Sequence, residues 1–343
     1  MVKSTVSKKS MIEVQFNWIF VIVAGVVVFL FIMSIVFSEK KQSEEKLNSE
    51  FLQKLTSSIR GKQQLTDTYN ELSTSNTELS FRCDAEDKTF DFSIAGSNKI
   101  SLPQEIIFTP EHISGNTFQL WTLDFSVPFT VTRFMFITTP STVFIIYSDS
   151  STAPFAAALA HDLPSNITKK MASSEADIDA IRANYPSYKI ICFVGHCPQN
   201  VDKKYDYISI NPQSTQGNSA DALYAYGNVI FRRGSLKDTS FYVSKSSMFG
   251  AIFSDNKKDY ECQMSRAMDQ FNLKRTLHVN RMDLLAEDPT ALRGDCSNIL
   301  TAARLTMTID NLGMSNIQQL PGFVKAIETA DNDLNFKGCP LIY

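Results

Sequence analysis

The chain has 343 residues, 43% of them apolar and 20% charged, with 33 Lys and Arg against 36 Asp and Glu and a formal charge of −3. This length and apolar content suit one large or two ordinary domains around a substantial core. They exclude global disorder, which needs low hydrophobicity and high net charge, and a basic nucleic-acid binder, which needs a cationic excess. Only four histidines occur, and only 13 glycines, where average usage would give roughly 24. Neither a site of several imidazoles nor a glycine-rich phosphate cradle is expected.

Residues 1–15 form a short basic tail, with Lys3, Lys8 and Lys9 against Glu13. An apolar run, residues 16–37, follows from Phe16 to Phe37 (FNWIFVIVAGVVVFLFIMSIVF). Only Asn17, Gly25 and Ser34 break it, and it carries no charge. As a helix it spans about 33 Å, enough for a hydrocarbon core of roughly 30 Å. The expected partner of this segment is the lipid bilayer, with Trp18 at headgroup level. The alternative is a removable signal peptide cut near Val36-Phe37-Ser38, but its apolar region would be shorter, about 7–15 residues.

Charge does not orient the span, because Lys40, Lys41, Lys46 and Lys54 follow it just as lysines precede it. Six cysteines (Cys83, Cys192, Cys197, Cys262, Cys296, Cys339) all lie after the span. Their even number suits a disulfide-permissive compartment. Asn166-Ile167-Thr168 is a glycosylation-type sequon, with Asn166 as the acceptor. Both features point to a cell-membrane protein with its large domain outside the cytoplasm.

Residues 38–75 are expected to continue the helix as a stalk, to about residue 72. Leu47, Phe51, Leu55, Ile59, Leu65, Tyr69 and Leu72 recur near helical spacing, and Lys40/Glu44 and Glu50/Lys54 stand four apart. Lys62 and Thr66 occupy seam positions where a coiled coil takes Leu. Self-association of the stalk and packing of its seam on the globular part are both open.

Residues 79–147 read as β-rich: aromatic and β-branched runs are punctuated by turns at Ala95-Gly96-Ser97-Asn98, Ser114-Gly115-Asn116 and Thr138-Thr139-Pro140-Ser141. Residues 148–343 read as an α/β region. Helix-like APFAAALAHDL and EADIDAIRANY alternate with apolar strands, arguing for βαβ units and a partly parallel sheet. The runs YDYISI, NVIFRR, SFYVSK and SMFGAIF come next. Asp255 is placed to cap a helix with Tyr260, Met264, Ala267, Met268 and Phe271 on one face. The C-terminal part from Ser297 reads as helical, with Pro321 opening the last helix. The expected fold is thus a single transmembrane helix and stalk, then a mixed α/β (α+β) globular region with C-terminal helices.

Chemistry is sparse. Cys192 and Cys197 flank FVGH and suit a local disulfide; a zinc site with His196 would need a second ligand cluster, which the sequence lacks. Cys262 is expected to pair with Cys296 or Cys339. Ser148, Asp149 and Ser151 follow an apolar strand, where open α/β sheets gather ligands. Asp149, Ser151 and Ala153 match two of the three positions of the metal-adhesion motif of von Willebrand A domains, so no metal is expected. No G-x-S-x-G elbow exists, and His112, His161 and His278 lack local catalytic partners. No catalytic residue, cofactor or nucleic-acid partner is assigned.

Lys8-Lys9-Ser10-Met11-Ile12-Glu13 before the apolar helix resembles the start of type IV pilin-like subunits, which implies a processed leader and a helix leading to a β-rich head. Cleavage after Ser10 would put Glu13 third in the mature chain, where pilins have their glutamate fifth, and Ser10 replaces the usual Gly or Ala. Glu13–Phe20 (EVQFNWIF), residues 121–140 and the closing Cys-Pro-Leu-Ile-Tyr resemble uncharacterised single-pass membrane proteins of archaea, a likeness that implies the architecture and no activity. The expected function is a non-catalytic binding or scaffold protein at the cell surface. A pilin-like filament subunit and a membrane-anchored α/β enzyme, with a site near Ser148–Ser151 and His196, are the alternatives.

Overall fold

The computed structural model describes residues 8–62, 67–94, 99–198, 205–213, 220–287, 296–308 and 312–343. The chain divides into two units, residues 1–56 and 57–343. The first unit holds most of α1 (Lys8–Lys62). Within it, Phe20–Glu39 is long and apolar enough to cross a membrane, and none of that stretch is buried.

Strand β1 (Tyr69–Asp84) begins inside the segment expected to be helical. Tyr69 pairs with Trp121 and Leu72 with Phe118 across an antiparallel ladder, so cross-strand packing overrides a spacing that also fits a helix. Asp67 adopts a left-handed backbone (φ 47°) and accepts the Trp121 indole N–H at 3.1 Å, which turns the chain into the sheet. The polar Ser73–Thr77 stretch becomes a register shift within β1. Leu65, Thr66 and the 95–98 turn lie outside the described residues.

The first sheet also contains β2 (Thr89–Ile94), β3 (Ile100–Ser101), β4 (Ile106–Phe108), β5 (His112–Ser126) and β6 (Thr130–Thr138), in the order β3-β2-β1-β5-β6-β4. Only the β4–β6 pairing is parallel. Phe118, Leu120 and Phe125 are buried and Thr130 is exposed, but residues 118–122 of β5 and 134–138 of β6 are buried without a break, so the middle of this sheet is buried on both faces instead of alternating. A turn closed by Thr142 N–H on Thr139 O then carries the chain into the second sheet. Strand β7 (Thr142–Tyr147) therefore belongs to the α/β layer, not to the β-rich stretch.

The second sheet contains β7, β8 (Lys169–Ala172), β9 (Ser187–Phe193), β10 (Tyr207–Pro212), β11 (Gly227–Arg233) and β12 (Leu236–Tyr242), in the order β12-β11-β10-β9-β7-β8. β8, β7, β9 and β10 run parallel, and β11 and β12 add an antiparallel edge. Helix α2 (Ala153–Asp162) covers one face through Ala156 and Leu159. Helix α3 (Glu175–Arg182), capped by a Ser174–Asp177 box, covers the other through Ile178. This is a doubly wound arrangement whose strand order reverses between β7 and β9.

After the short α4 (Ala220–Ala225) and strands β11 and β12, SMFGAIF forms part of α5 (Lys245–Phe253), buried at every position from Ser246. A helix apolar all round belongs inside. Phe249 and Phe253 meet Trp121 and Phe136 of the first sheet, and Phe253 also meets Phe144 of the second. Helix α6 (Lys257–Glu287) buries Tyr260, Met264, Ala267, Met268 and Phe271 as expected. Its N-terminal turn is held by Asn256 rather than Asp255: Asn256 Oδ1 accepts the Asp259 N–H at 2.9 Å. Helix α7 (Cys296–Met307), a 3-10 turn (Met314–Gln319) and α8 (Leu320–Phe336), with Pro321 in its first turn, complete the fold.

All six cysteines pair: Cys83–Cys262, Cys192–Cys197 and Cys296–Cys339. The local Cys192–Cys197 bridge is as expected; the partner expected for Cys262 is not. From Cys262 helix α6 carries the chain about 38 Å onward before Cys296, whereas its first turns lie beside β1 and Cys83. Nearness in sequence misleads wherever a long helix intervenes.

Candidate functional site

The loops after β7 and β9 leave adjacent parallel strands at the point where strand order reverses, and they meet. Asp149 Oδ1 accepts from the backbone N–H groups of Ser151 (2.9 Å) and Thr152 (3.0 Å) and from their hydroxyls (2.6 and 3.0 Å). This Asx-type turn starts α2. Its Oδ2 faces His196 Nδ1 at 2.6 Å, and Ser151 Oγ lies 3.1 Å from the same nitrogen. The hydrogen bonds from Ser151 and His196 hold the Asp149 carboxyl well below the usual carboxylate range.

His196 is delivered by Gly195, whose φ of +82° suits glycine, and by the Cys192–Cys197 bridge around the loop. Three of the four expected loop residues, Asp149, Ser151 and His196, therefore converge. Ser148 does not join them; its N–H bonds Ala172 O of β8.

A Ser–His–Asp relay needs the hydroxyl on one ring nitrogen and the carboxylate on the other. Here both sit on Nδ1, so the arrangement orients the imidazole without activating Ser151. The Cys192 and Cys197 sulfurs are bonded to each other and are not zinc ligands. Among the described residues no three His, Cys, Asp or Glu side chains form a metal-binding group. Asn166 is exposed between α2 and β8.

A cavity of about 440 Å³ opens at the other end of the parallel strands. Thr142, Ser187 and Tyr207, which begin β7, β9 and β10, line it, together with the start of β5 and the end of β11. At its inner wall Lys189 donates to the carbonyls of Phe253 (2.9 Å) and Ser254 (2.7 Å) and to Asp255 Oδ1 (3.1 Å). Asp255 Oδ2 accepts the Glu111 N–H at 2.9 Å. Burial disfavours both charges and lowers Lys189, whereas the ammonium and the N–H outweigh burial at Asp255 and hold its carboxyl below the usual range.

No protein-family model, curated protein or solved structure matches this chain. The likenesses to pilin-like subunits and to archaeal single-pass proteins therefore rest on the residues quoted for them.

The sequence reading did not single out Lys189, Asp206 or Arg233 for this cleft. One signal was present: Lys189 is the only charge in the apolar strand YKIICFV, and a lysine there must find partners.

Proposed function

We propose that this chain is a membrane-anchored, non-catalytic binding or scaffold protein whose globular unit lies outside the cytoplasm. The pairing of all six cysteines carries the reading, since disulfides persist in oxidising compartments and are rare in the cytosol. The exposed apolar stretch Phe20–Glu39 supports the anchor. The shared use of His196 Nδ1 supports binding over nucleophilic catalysis. Intact cells treated with a membrane-impermeant maleimide, followed by non-reducing peptide mapping, test it. The expected result is no labelled thiol until an impermeant reductant is added. Six reduced thiols reached only after permeabilisation would overturn it.

The meeting of Asp149, Ser151 and His196 supports a second reading, a membrane-anchored α/β enzyme. A fluorophosphonate adduct on Ser151 would favour that reading. The filament-subunit alternative needs a start processed after Ser10; a natural protein beginning at Met1 or Val2 removes it.

A further inference from the structure

The cavity at the start of the parallel strands has the size of a small-molecule site, about 440 Å³ against a usual range of about 300–1,000 Å³. Its charged groups divide into those occupied by the fold and those facing the space. Lys189 is occupied by two carbonyls and Asp255, and Asp255 by Lys189 and the Glu111 N–H. Asp206 accepts the Gly234 N–H at 3.1 Å.

Arg233, exposed at the end of β11, lines the cavity; its side chain makes no hydrogen bond or close ion pair among the described residues, and its charge acts from a distance on Asp255 and Lys189. Strand alternation puts it on the same face as Val229 and Phe231, toward the side where Lys189 and Asp255 stand. Arg232 beside it stands over the Tyr207 ring, 6.0 Å from the centroid. Lys189, Arg232 and Arg233 against Asp206 and Asp255 leave one positive charge in excess. The hydroxyls of Ser114 and Ser187, both exposed, have no partner among the described residues.

We propose that this cleft binds a small molecule bearing an oxyanion, a carboxylate or a phosphate, anchored by the Arg233 guanidinium, with Ser114 and Ser187 donating from the walls. A guanidinium fork offers two parallel N–H donors matched to such a group. The Lys189–Asp255 pair fixes the inner wall, its ammonium donors being taken by two carbonyls and the carboxylate.

The inference deepens the binding-protein reading and rests on it for its setting, yet it is tested apart. The full chain in a nonionic polyoxyethylene detergent is titrated calorimetrically with inorganic phosphate, with glucuronate, and with glucose as the neutral counterpart. One or both anions bind and glucose does not; which anion binds tells phosphate from carboxylate. Arg233→Gln weakens that binding roughly tenfold or more. Asp206→Asn, which keeps an acceptor for Gly234, tightens it, and added salt weakens it.

Equal binding of glucose, no binding of either anion, or an unchanged affinity in Arg233→Gln overturns the site. Reduced thiols in intact cells would instead overturn the topology and leave the titration standing.

Discussion

Lys189 Nζ, in the third residue of β9, reaches Asp255 Oδ1 at 3.1 Å just beyond the end of α5, while also capping that helix's last carbonyls. A cation at a helix C-terminus is favourable, and here it also satisfies a carboxylate whose side chain is only 27% exposed. Lys189→Met keeps the stem's volume and removes the charge. The expected loss is about 2–4 kcal/mol, because breaking one partner leaves the other buried without compensation. Asp255→Asn is expected to cost less, and the double variant less than the sum of the two. Thermal unfolding of the full chain in detergent measures all three; strictly additive losses would contradict the pairing. Because the Asp255 carboxyl is held below its usual range, its stabilisation is present above about pH 4. It is lost as pH falls through the lowered value.

Gly250 sets the central helix directly against the Phe108 ring of the first sheet. A Cβ built there would stand 2.8–3.0 Å from three atoms of the Phe108 ring. That ring is held by Phe134, Phe136 and Tyr260 at centroid distances of 5.0, 5.9 and 6.0 Å. Gly250→Ala is expected to destabilise by about 1–3 kcal/mol through overpacking, although alanine is the better helix former by about 1 kcal/mol. Gly115→Ala, whose nearest neighbour would be 3.6 Å away, serves as the tolerant control. A gain in stability for Gly250→Ala would mean that the Phe108 ring has room to move.

The three disulfides close very different loops. Cys83–Cys262 spans 179 residues of sequence and Cys192–Cys197 only 5. Chain-entropy arithmetic then assigns about 5 kcal/mol to the first and about 2 kcal/mol to the second. Serine pairs at each bridge, compared by chemical unfolding, should rank in that order. A larger loss at Cys192–Cys197 would show that the bridge acts through the loop that holds His196 against Asp149.

Much of this was legible from residue patterns, and the failures share a cause. The apolar run of α1, the aromatic and β-branched runs of β5 and β6 and the βα texture after Tyr147 are local signals, which folding preserved. So did the pairing of loops 148–152 and 194–197, since both follow strands of one parallel sheet. Tyr69 and Leu72 misled because three- and four-residue spacing fits a helix, while Trp121 and Phe118, some fifty residues away, decide for a strand. SMFGAIF is short and apolar after Ser247, so its pattern alone does not tell helix from strand. The cleft was invisible for the same reason: Ser114, Lys189, Asp206 and Arg233 come from separate strands and loops, and only the packing of two sheets gathers them.

His278 ties the C-terminal segment to α6, and its titration gives a prediction within the physiological range. Nδ1 lies 3.2 Å from Ile342 O, the ring is 4.4 Å from that of Phe129, and Tyr343 closes over it at 6.4 Å. Burial foremost, helped by the charges of Arg281 and Lys274 and opposed by the Ile342 carbonyl, lowers its pKa below the usual histidine value. The unfolded chain therefore binds this proton more tightly than the folded one. The neutral ring's stabilisation is complete above about pH 6.5 and falls as pH drops from there toward the lowered value. The expected outcome is an unfolding temperature that decreases between pH 7 and pH 5, together with lower amide protection factors, corrected for the intrinsic pH dependence of exchange, at Leu341, Ile342 and Tyr343. His278→Gln, which retains a donor for Ile342 O but does not titrate, should be less stable at pH 7 and should flatten this part of the profile. An undiminished slope in that variant would assign the acid sensitivity to other groups.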